Sequence, residues 1–209
     1  MSVKDIYQAV VDRKKNDIAN LVQAEIDAGT DISSILNDGL IASMDYIGDQ
    51  FAEGKMFFPE MLLSAQTMKT GMKVLKPSLV DTGVKSVGTV IAGTVKGDLH
   101  DIGKNLVTMM LEGGGFSVVD LGFDVEPMAF VNAAKENNAD IIAMSALLTT
   151  TMPKMGETIK ILKEEGIRDQ VKVIIGGAPV TSKFADEIGA DGYGSDGPAA
   201  VEVARKLTA

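Results

Sequence analysis

From Val3 to about Lys76, apolar residues recur at spacings of three and four with no strand-like alternation, which predicts four helices. The first spans about Val3 to Arg13, with Ile6, Val10 and Val11 on one face, and the second runs from Asn16 to Ala28, where Gly29 stops it. Asp31 is placed to cap the third, which carries Ile32, Ile35, Leu36, Leu40, Met44 and Ile47. The fourth starts near Pro59, a favoured first-turn residue, and is expected to end before Pro77. Short loops between them predict an antiparallel bundle over residues 1–80. Residues 77–86 hold Pro, Ser, Asp, Thr and Gly without periodicity and read as a linker.

After that stretch the period changes. Short apolar runs at 87–92, 116–121, 139–145 and 171–176 alternate with helical patterns at about 103–113, 126–138, 153–165 and 181–188. A weak strand at Gly192 to Gly194 precedes a helix from about Pro198 to Leu207. Five strands alternating with five helices predict a doubly wound, flavodoxin-like (Rossmann-type) five-stranded parallel sheet over residues 87–209.

Composition narrows the classes of function. A net charge of −9, from 20 basic and 29 acidic side chains, argues against nucleic acid or an anionic membrane as partner. With no cysteine there is no disulfide framework and no thiolate metal site. No apolar leader and no long apolar run is visible, so a cytoplasmic location is expected.

The candidate chemistry gathers in Gly97-Asp98-Leu99-His100-Asp101-Ile102-Gly103-Lys104-Asn105, which holds the only histidine and lies between a strand and a helix. In a parallel sheet such loops sit at the carboxyl ends of the strands, where ligands bind. On base rates a lone histidine is a capping or surface residue. The Gly103-Lys104 pair invites a phosphate-loop reading. That reading fails because five residues separate Gly97 from Gly103 and Asn105 stands where a magnesium-binding Ser or Thr is needed.

The set Asp98-x-His100-x-x-Gly103 resembles the cobalamin-binding signature of methionine synthase, of the corrinoid proteins of methyltransferase systems and of cobalamin mutases. The resemblance implies that His100 is the lower axial ligand of cobalt, replacing the cofactor's own benzimidazole, and that Asp98 hydrogen-bonds the other ring nitrogen. A ligating imidazole needs such an acceptor, which fixes its tautomer and raises its basicity. Gly97, Leu99, Asp101, Ile102 and Gly103 would then lie against the cofactor.

Two further segments gain meaning beside this loop. Met144-Ser145-Ala146-Leu147-Leu148-Thr149-Thr150-Thr151-Met152-Pro153 reads by itself as a hydroxyl-rich helix entry, with Thr capping a helix that begins at Pro153. The resemblance instead implies that Ser145, Leu147 and Thr149 face the cofactor's nucleotide tail. Thr151 would complete a His100–Asp98–hydroxyl chain, at a position where the methionine synthase pattern has Ser. Ile175-Gly176-Gly177-Ala178-Pro179 reads by itself as a tight turn. By resemblance Gly176 and Gly177 leave room for the tail, and Gly192-Tyr193-Gly194-Ser195-Asp196 closes its slot, with Tyr193 against the cofactor.

In the helical half, Phe51 to Met61 concentrates aromatic residues and methionines, a composition usual for bundle core. The stretch also resembles the methylcobalamin cap of methionine synthase, which implies that Phe51, Phe57, Phe58 and Met61 cover the upper face of the corrin. Phe58 and Met61 differ in type from the aliphatic pair of that cap.

The resemblance spans nearly the whole chain with no catalytic domain left over. It implies a corrinoid methyl carrier, non-catalytic alone, binding cobalamin or a related cobamide in a methylamine, methanol, betaine or methoxyaromatic system. The implied partners are a substrate-specific methyltransferase, a second methyltransferase to a folate or thiol, and a reductive activator of Co(II). A mutase small subunit carries the same loop without needing a methyl-shielding bundle. A cobalamin-dependent regulator or photosensor carries the bundle but adds a DNA-binding segment, and no basic stripe is visible here. A receiver domain would want an acidic residue where Ser145 stands.

Overall fold

The computed structural model describes residues 2–82 and 86–209, which divide into two compact units. One comprises Met1–Ser86 with Glu112–Gly115, and the other Val87–Leu111 with Phe116–Ala209.

The helical unit contains α1 (Val3–Val11), α2 (Lys15–Asp27), a continuous helical run of α3 (Ile32–Ser34), a π-helical segment (Ile35–Ile41) and α4 (Ala42–Ala52), and then α5 (Phe58–Thr82). The amphipathic stripes close on one another: Ile6, Ile18, Val22, Leu40, Ile47, Met61, Met68 and Leu75 are all fully buried. Asp31 caps the third run by accepting the Ser34 N–H at 2.9 Å. The π-helical turn was not expected. Inside it, a Cβ on Gly39 would stand 3.1 Å from the Ile6 side chain, so α1 lies close against the widened helix.

The end of the fourth helix is corrected. α5 continues through Pro77 to Thr82, so the first part of the expected 77–86 linker is helical, and residues 83–85 lie outside the described residues. Proline removes one hydrogen bond, to the carbonyl of Lys73, and in a helix interior costs about 3 kcal/mol. Two residues before it, Leu75 is completely buried, so packing holds the helix against that loss.

The second unit is a parallel sheet of β1 (Thr89–Thr94), β2 (Ser117–Asp120), β3 (Ile141–Ser145), β4 (Lys172–Gly176) and β5 (Gly192–Gly194). Its order is β2-β1-β3-β4-β5, with Ile91 paired to Val119 on one side and Ile142 on the other. The crossovers are α6 (Ile102–Gly113), α7 (Pro127–Glu136), α8 (Pro153–Glu164) and α9 (Ser182–Ile188), and α10 (Gly197–Thr208) follows β5. This is the expected flavodoxin-like winding. The order reverses between β1 and β3, so the loops leaving those two strands flank the crevice where such sheets bind ligands.

Pleating assigns each strand residue to a face. Ile91, Ile142, Val173 and Ile175 join Phe130, Val131, Met155 and Ile159 in a core beneath α7 and α8. Their neighbours Ala92, Ala143, Ile174 and Gly176 face the other way and line an open slot. Among the described residues no helix is long and apolar enough to cross a membrane.

Gly93 and Phe130 share one space, since a Cβ on Gly93 would meet the buried ring at 2.8 Å. Gly93→Ala should therefore cost about 1–3 kcal/mol of stability through overpacking. Combined with Phe130→Leu, it should cost less than the sum of the single changes, by a coupling of about 0.5–3 kcal/mol. Urea denaturation of the four proteins measures this, and strict additivity would show that the two residues do not compete for the space.

Candidate functional site

β1 delivers the chain into the loop through Gly97, whose φ of +84° is a conformation that side-chain-bearing residues rarely adopt. The Gly97 N–H donates to Asp124 Oδ1 at 2.8 Å, and Asp124 N–H donates back to the carbonyl of Asp98 at 3.1 Å. The Thr94 hydroxyl, fully buried at the end of β1, donates to the carbonyl of His100 at 3.1 Å. The loop is thereby tied both to its own strand and to the turn after β2.

Asp98 is completely buried, and donors from two loops converge on it. Its Oδ1 accepts from the backbone N–H of His100 at 3.1 Å and pairs with His100 Nδ1 at 2.7 Å. Its Oδ2 accepts from the N–H groups of Leu147 at 2.7 Å and Leu148 at 3.1 Å, and from the Thr151 hydroxyl at 2.8 Å. The Leu148 carbonyl is equally near that hydroxyl, but a hydroxyl has one proton and the charged oxygen is the stronger acceptor. Burial by itself would push the Asp98 carboxyl up. The His100 ring, the Leu147 N–H and the Thr151 hydroxyl outweigh it and hold the group well below the usual carboxylate range.

An ionised carboxylate only accepts, so the ring proton of a neutral His100 must sit on Nδ1. That leaves the Nε2 lone pair free on a side chain about half exposed (52%). Among the described residues no three His, Cys, Asp or Glu side chains gather to hold a bare metal ion. The arrangement thus leaves one imidazole nitrogen available as a donor, with no cluster of protein ligands beside it among the described residues.

Beside the histidine lies a slot of about 620 Å³, walled by the sheet face and α6. Leu99, His100, Asp101, Ile102, Gly103, Ser145, Leu147, Gly176 and Gly177 all line it. Gly177 takes a φ of +121°, and a Cβ there would fall 1.9 Å from the Ala146 carbonyl oxygen, so only glycine allows the loops after β3 and β4 to approach this closely.

Other expected residues are placed differently. Thr149 is exposed and is not part of the slot wall. The Tyr193 ring packs against the core on the opposite face of the sheet, because its pleat position is out of phase with Gly192 and Gly194, and it is Gly194 that lines the slot. Thr151 does not cap α8, whose N-cap residue is Met152; its hydroxyl is used on Asp98. In the helical unit, Phe57 (74%) and Phe58 (40%) are exposed and Phe51 is half-buried. Met61 is completely buried in the bundle core, so its side chain is not presented as a cover.

Sequence reasoning missed Thr94, Asp124 and Lys104. Thr94 is the lone hydroxyl in the apolar run 90–95, and Asp124 follows a glycine turn at the same end of the sheet, so both left a signal. Lys104 lines the slot although only 4% exposed, with its ammonium on Asp120.

Comparison with known proteins identifies the family. A B12 binding domain family matches residues 88–202, and a second B12 binding domain family matches residues 3–76. The chain is 42% identical to a corrinoid protein of Desulfitobacterium hafniense over 99% of its own length and 98% of that protein's. It is 45% identical to trimethylamine corrinoid protein 1 of Methanosarcina acetivorans, over 96% and 93% of the two chains. Among solved structures it is similar to the methanol:cobalamin methyltransferase complex MtaBC of Methanosarcina barkeri, with a TM-score of 0.86, 32% identity and coverage of 99% and 79%. A cobalamin-binding protein of Desulfitobacterium hafniense matches with a TM-score of 0.79 and 32% identity over 99% and 98%. With family matches over both halves and relatives above 40% identity along nearly its whole length, the chain belongs to the corrinoid protein family.

Proposed function

We propose that this chain is a methyl carrier that holds cobalamin or a related cobamide through His100, with the cofactor's own base displaced from cobalt into the slot. It receives a methyl group from a substrate-specific methyltransferase and yields it to a second enzyme that methylates a folate or a thiol, and a reductive activator restores oxidised cobalt. The observation that carries the reading is the 2.7 Å Asp98–His100 pair at the mouth of the 620 Å³ slot.

When bound, the cofactor supplies the methyl-transfer chemistry. The chain's own residues do the rest. His100 presents Nε2, Asp98 holds its proton on Nδ1, and Thr151 holds Asp98. Ser145, Gly176 and Gly177 leave the tail its room. Phe57 and Phe58 are exposed apolar side chains on the helical unit, available for the covering role that the family resemblance implies. Relatives named for trimethylamine and dimethylamine, and a neighbour in a methanol system, support a small methylated donor whose choice belongs to the partner enzyme. These whole-length relatives favour the carrier over a mutase subunit or a photosensor.

Because His100 is the only histidine, labelling with ¹⁵N-histidine tests the ligand directly. The Co(II) form should show electron paramagnetic resonance nitrogen splitting that changes with the label and vanishes in His100→Gly. Splitting unchanged by the label would mean that the benzimidazole is still the ligand.

Asp98→Asn should reduce cofactor retention or methyl transfer by about 10 to 100-fold, the usual scale for losing a partner that orients a metal ligand. Equilibrium dialysis and single-turnover methyl transfer measure it, and unchanged values in both would make the pair incidental.

Phe57→Ala combined with Phe58→Ala should quicken photolysis of bound methylcobalamin, since an apolar cage favours recombination. Both side chains are exposed, so stability should change little, within about 0.5 kcal/mol per site. A wild-type photolysis rate would remove the cover role.

A further inference from the structure

Lys104 is a buried charge in the histidine loop that the methyl-carrier reading leaves unused. It stands in the first turn of α6 with its side chain 4% exposed, where an ammonium gains nothing from the helix dipole and loses its hydration. All three of its donors are nevertheless engaged. Nζ donates to Asp120 Oδ1 at 2.6 Å, to Asp120 Oδ2 at 2.5 Å and to Asn105 Oδ1 at 2.5 Å.

The partners carry the connection outward in two directions. Asn105 turns its Nδ2 to Asp101 Oδ2 at 3.0 Å, and Asp101 is the residue next to His100. Asp120, at the end of β2, accepts the Gly122 N–H at 2.9 Å, and the Gly122 carbonyl accepts the N–H of Thr94, whose hydroxyl holds the His100 carbonyl. The chain of hydrogen bonds thus reaches the histidine loop from two sides: Thr94 holds the His100 carbonyl on the β1 side, and Lys104 with Asp120 and Asn105 holds Asp101 on the α6 side.

We propose that the Lys104–Asp120 ion pair is a positioning device for His100, fixing the far end of the histidine loop so that the imidazole keeps Nδ1 on Asp98 and Nε2 outward. The proposal rests on the reading of His100 as a ligand only for its consequence in the loaded protein; the positioning itself belongs to the protein without cofactor. If the tether is cut, the loop gains freedom and the imidazole is released toward water, where the Nε2–H tautomer is favoured. Lys104 and Asp120 are positioning residues, acting through the loop rather than on the metal.

The test uses the full chain without cofactor, labelled with ¹⁵N-histidine, at about pH 8.5, where imidazole is neutral. One residue gives both nitrogen signals, so the tautomer is read without assignment. Wild type should show the Nδ1–H form. Lys104→Met leaves Asp120 unpaired and is the variant at risk of unfolding, so it is paired with Asp120→Asn in a double variant. That combination removes both charges of the pair and keeps an acceptor for the Gly122 N–H. In the folded double variant the ratio of Nε2–H to Nδ1–H should rise by about five-fold or more, the scale of losing one network contact. The Co(II) form with cobalamin should then retain cofactor about 10-fold less well.

A folded double variant with the wild-type tautomer overturns the positioning role, whatever its effect on stability. So does a tautomer shift in Lys104→Met that the double variant abolishes, because that traces the effect to an unpaired charge and not to the missing tether. A shifted tautomer together with wild-type nitrogen splitting that ignores the histidine label would sustain the positioning and sink the ligand reading instead, so the two failures are distinguishable.

Discussion

The site depends on a buried charge. A carboxylate with no solvent exposure is strongly destabilising unless its lone pairs are filled, and Asp98 is tolerable because backbone, ring and hydroxyl donors fill them. Hydrogen bonds to a charged group contribute about 1.5–3 kcal/mol each, against about 1 kcal/mol for neutral ones. This requirement reaches far beyond the residue. Two donors are on the loop after β1, and the other three are on the loop after β3, about fifty positions later in sequence. Those loops meet only if β1 and β3 are adjacent and parallel with both carboxyl ends at one edge, and that adjacency is what the order β2-β1-β3-β4-β5 supplies. The fold is thus a condition for the ionised state of Asp98, and that state is a condition for the tautomer of His100.

How much of this was legible follows from the range over which each feature is encoded. The ten elements of the second unit were readable because each strand is a short apolar run and each helix has its own start signal, such as Pro127 and Pro153 at first-turn positions. The π-helical turn was not readable, because Leu36, Leu40 and Met44 fall at spacings of four that an α-helix also accepts. Pro77 misled for a related reason. Its local cost is real, but Met61, Met68 and Leu75 hold α5 by packing that sequence periodicity does not price.

The candidate site divides along the same line. His100, Asp98 and Gly103 are close in sequence and their spacing carries the message. Tyr193 was misassigned because a three-residue strand is too short to show which of its alternating positions faces the slot. Met61 was expected to cover a ligand, whereas the packing of α5 turns it inward. Lys104 was discarded with the phosphate-loop reading, since its partner Asp120 lies on another strand and nothing local announces the pair. Of the features fixed by which loops meet, the Thr151–Asp98 contact came from the family resemblance, and the Lys104–Asp120 pair had nothing to announce it.

The surroundings of His100 also constrain what it can meet. Leu99 (64%), Ile102 (76%), Leu147 (44%) and Leu148 (41%) are all substantially exposed, and they lie on the same two loops that hold the Asp98–His100 pair. Exposed apolar side chains gathered around one imidazole are costly in water and mark a surface that is covered in use. A hydrated metal ion would leave them wet and would find too few protein ligands. A broad, flat, largely apolar body would cover them, and a tail reaching the slot beside Gly176 and Gly177 would anchor it where small side chains leave space. The corrinoid cofactor of the family has both parts. On the reading proposed above, one protein nitrogen would suffice: Leu99, Ile102, Leu147 and Leu148 would take up the area of such a body, and the buried Asp98 holds the ring proton on Nδ1 and so leaves Nε2 free.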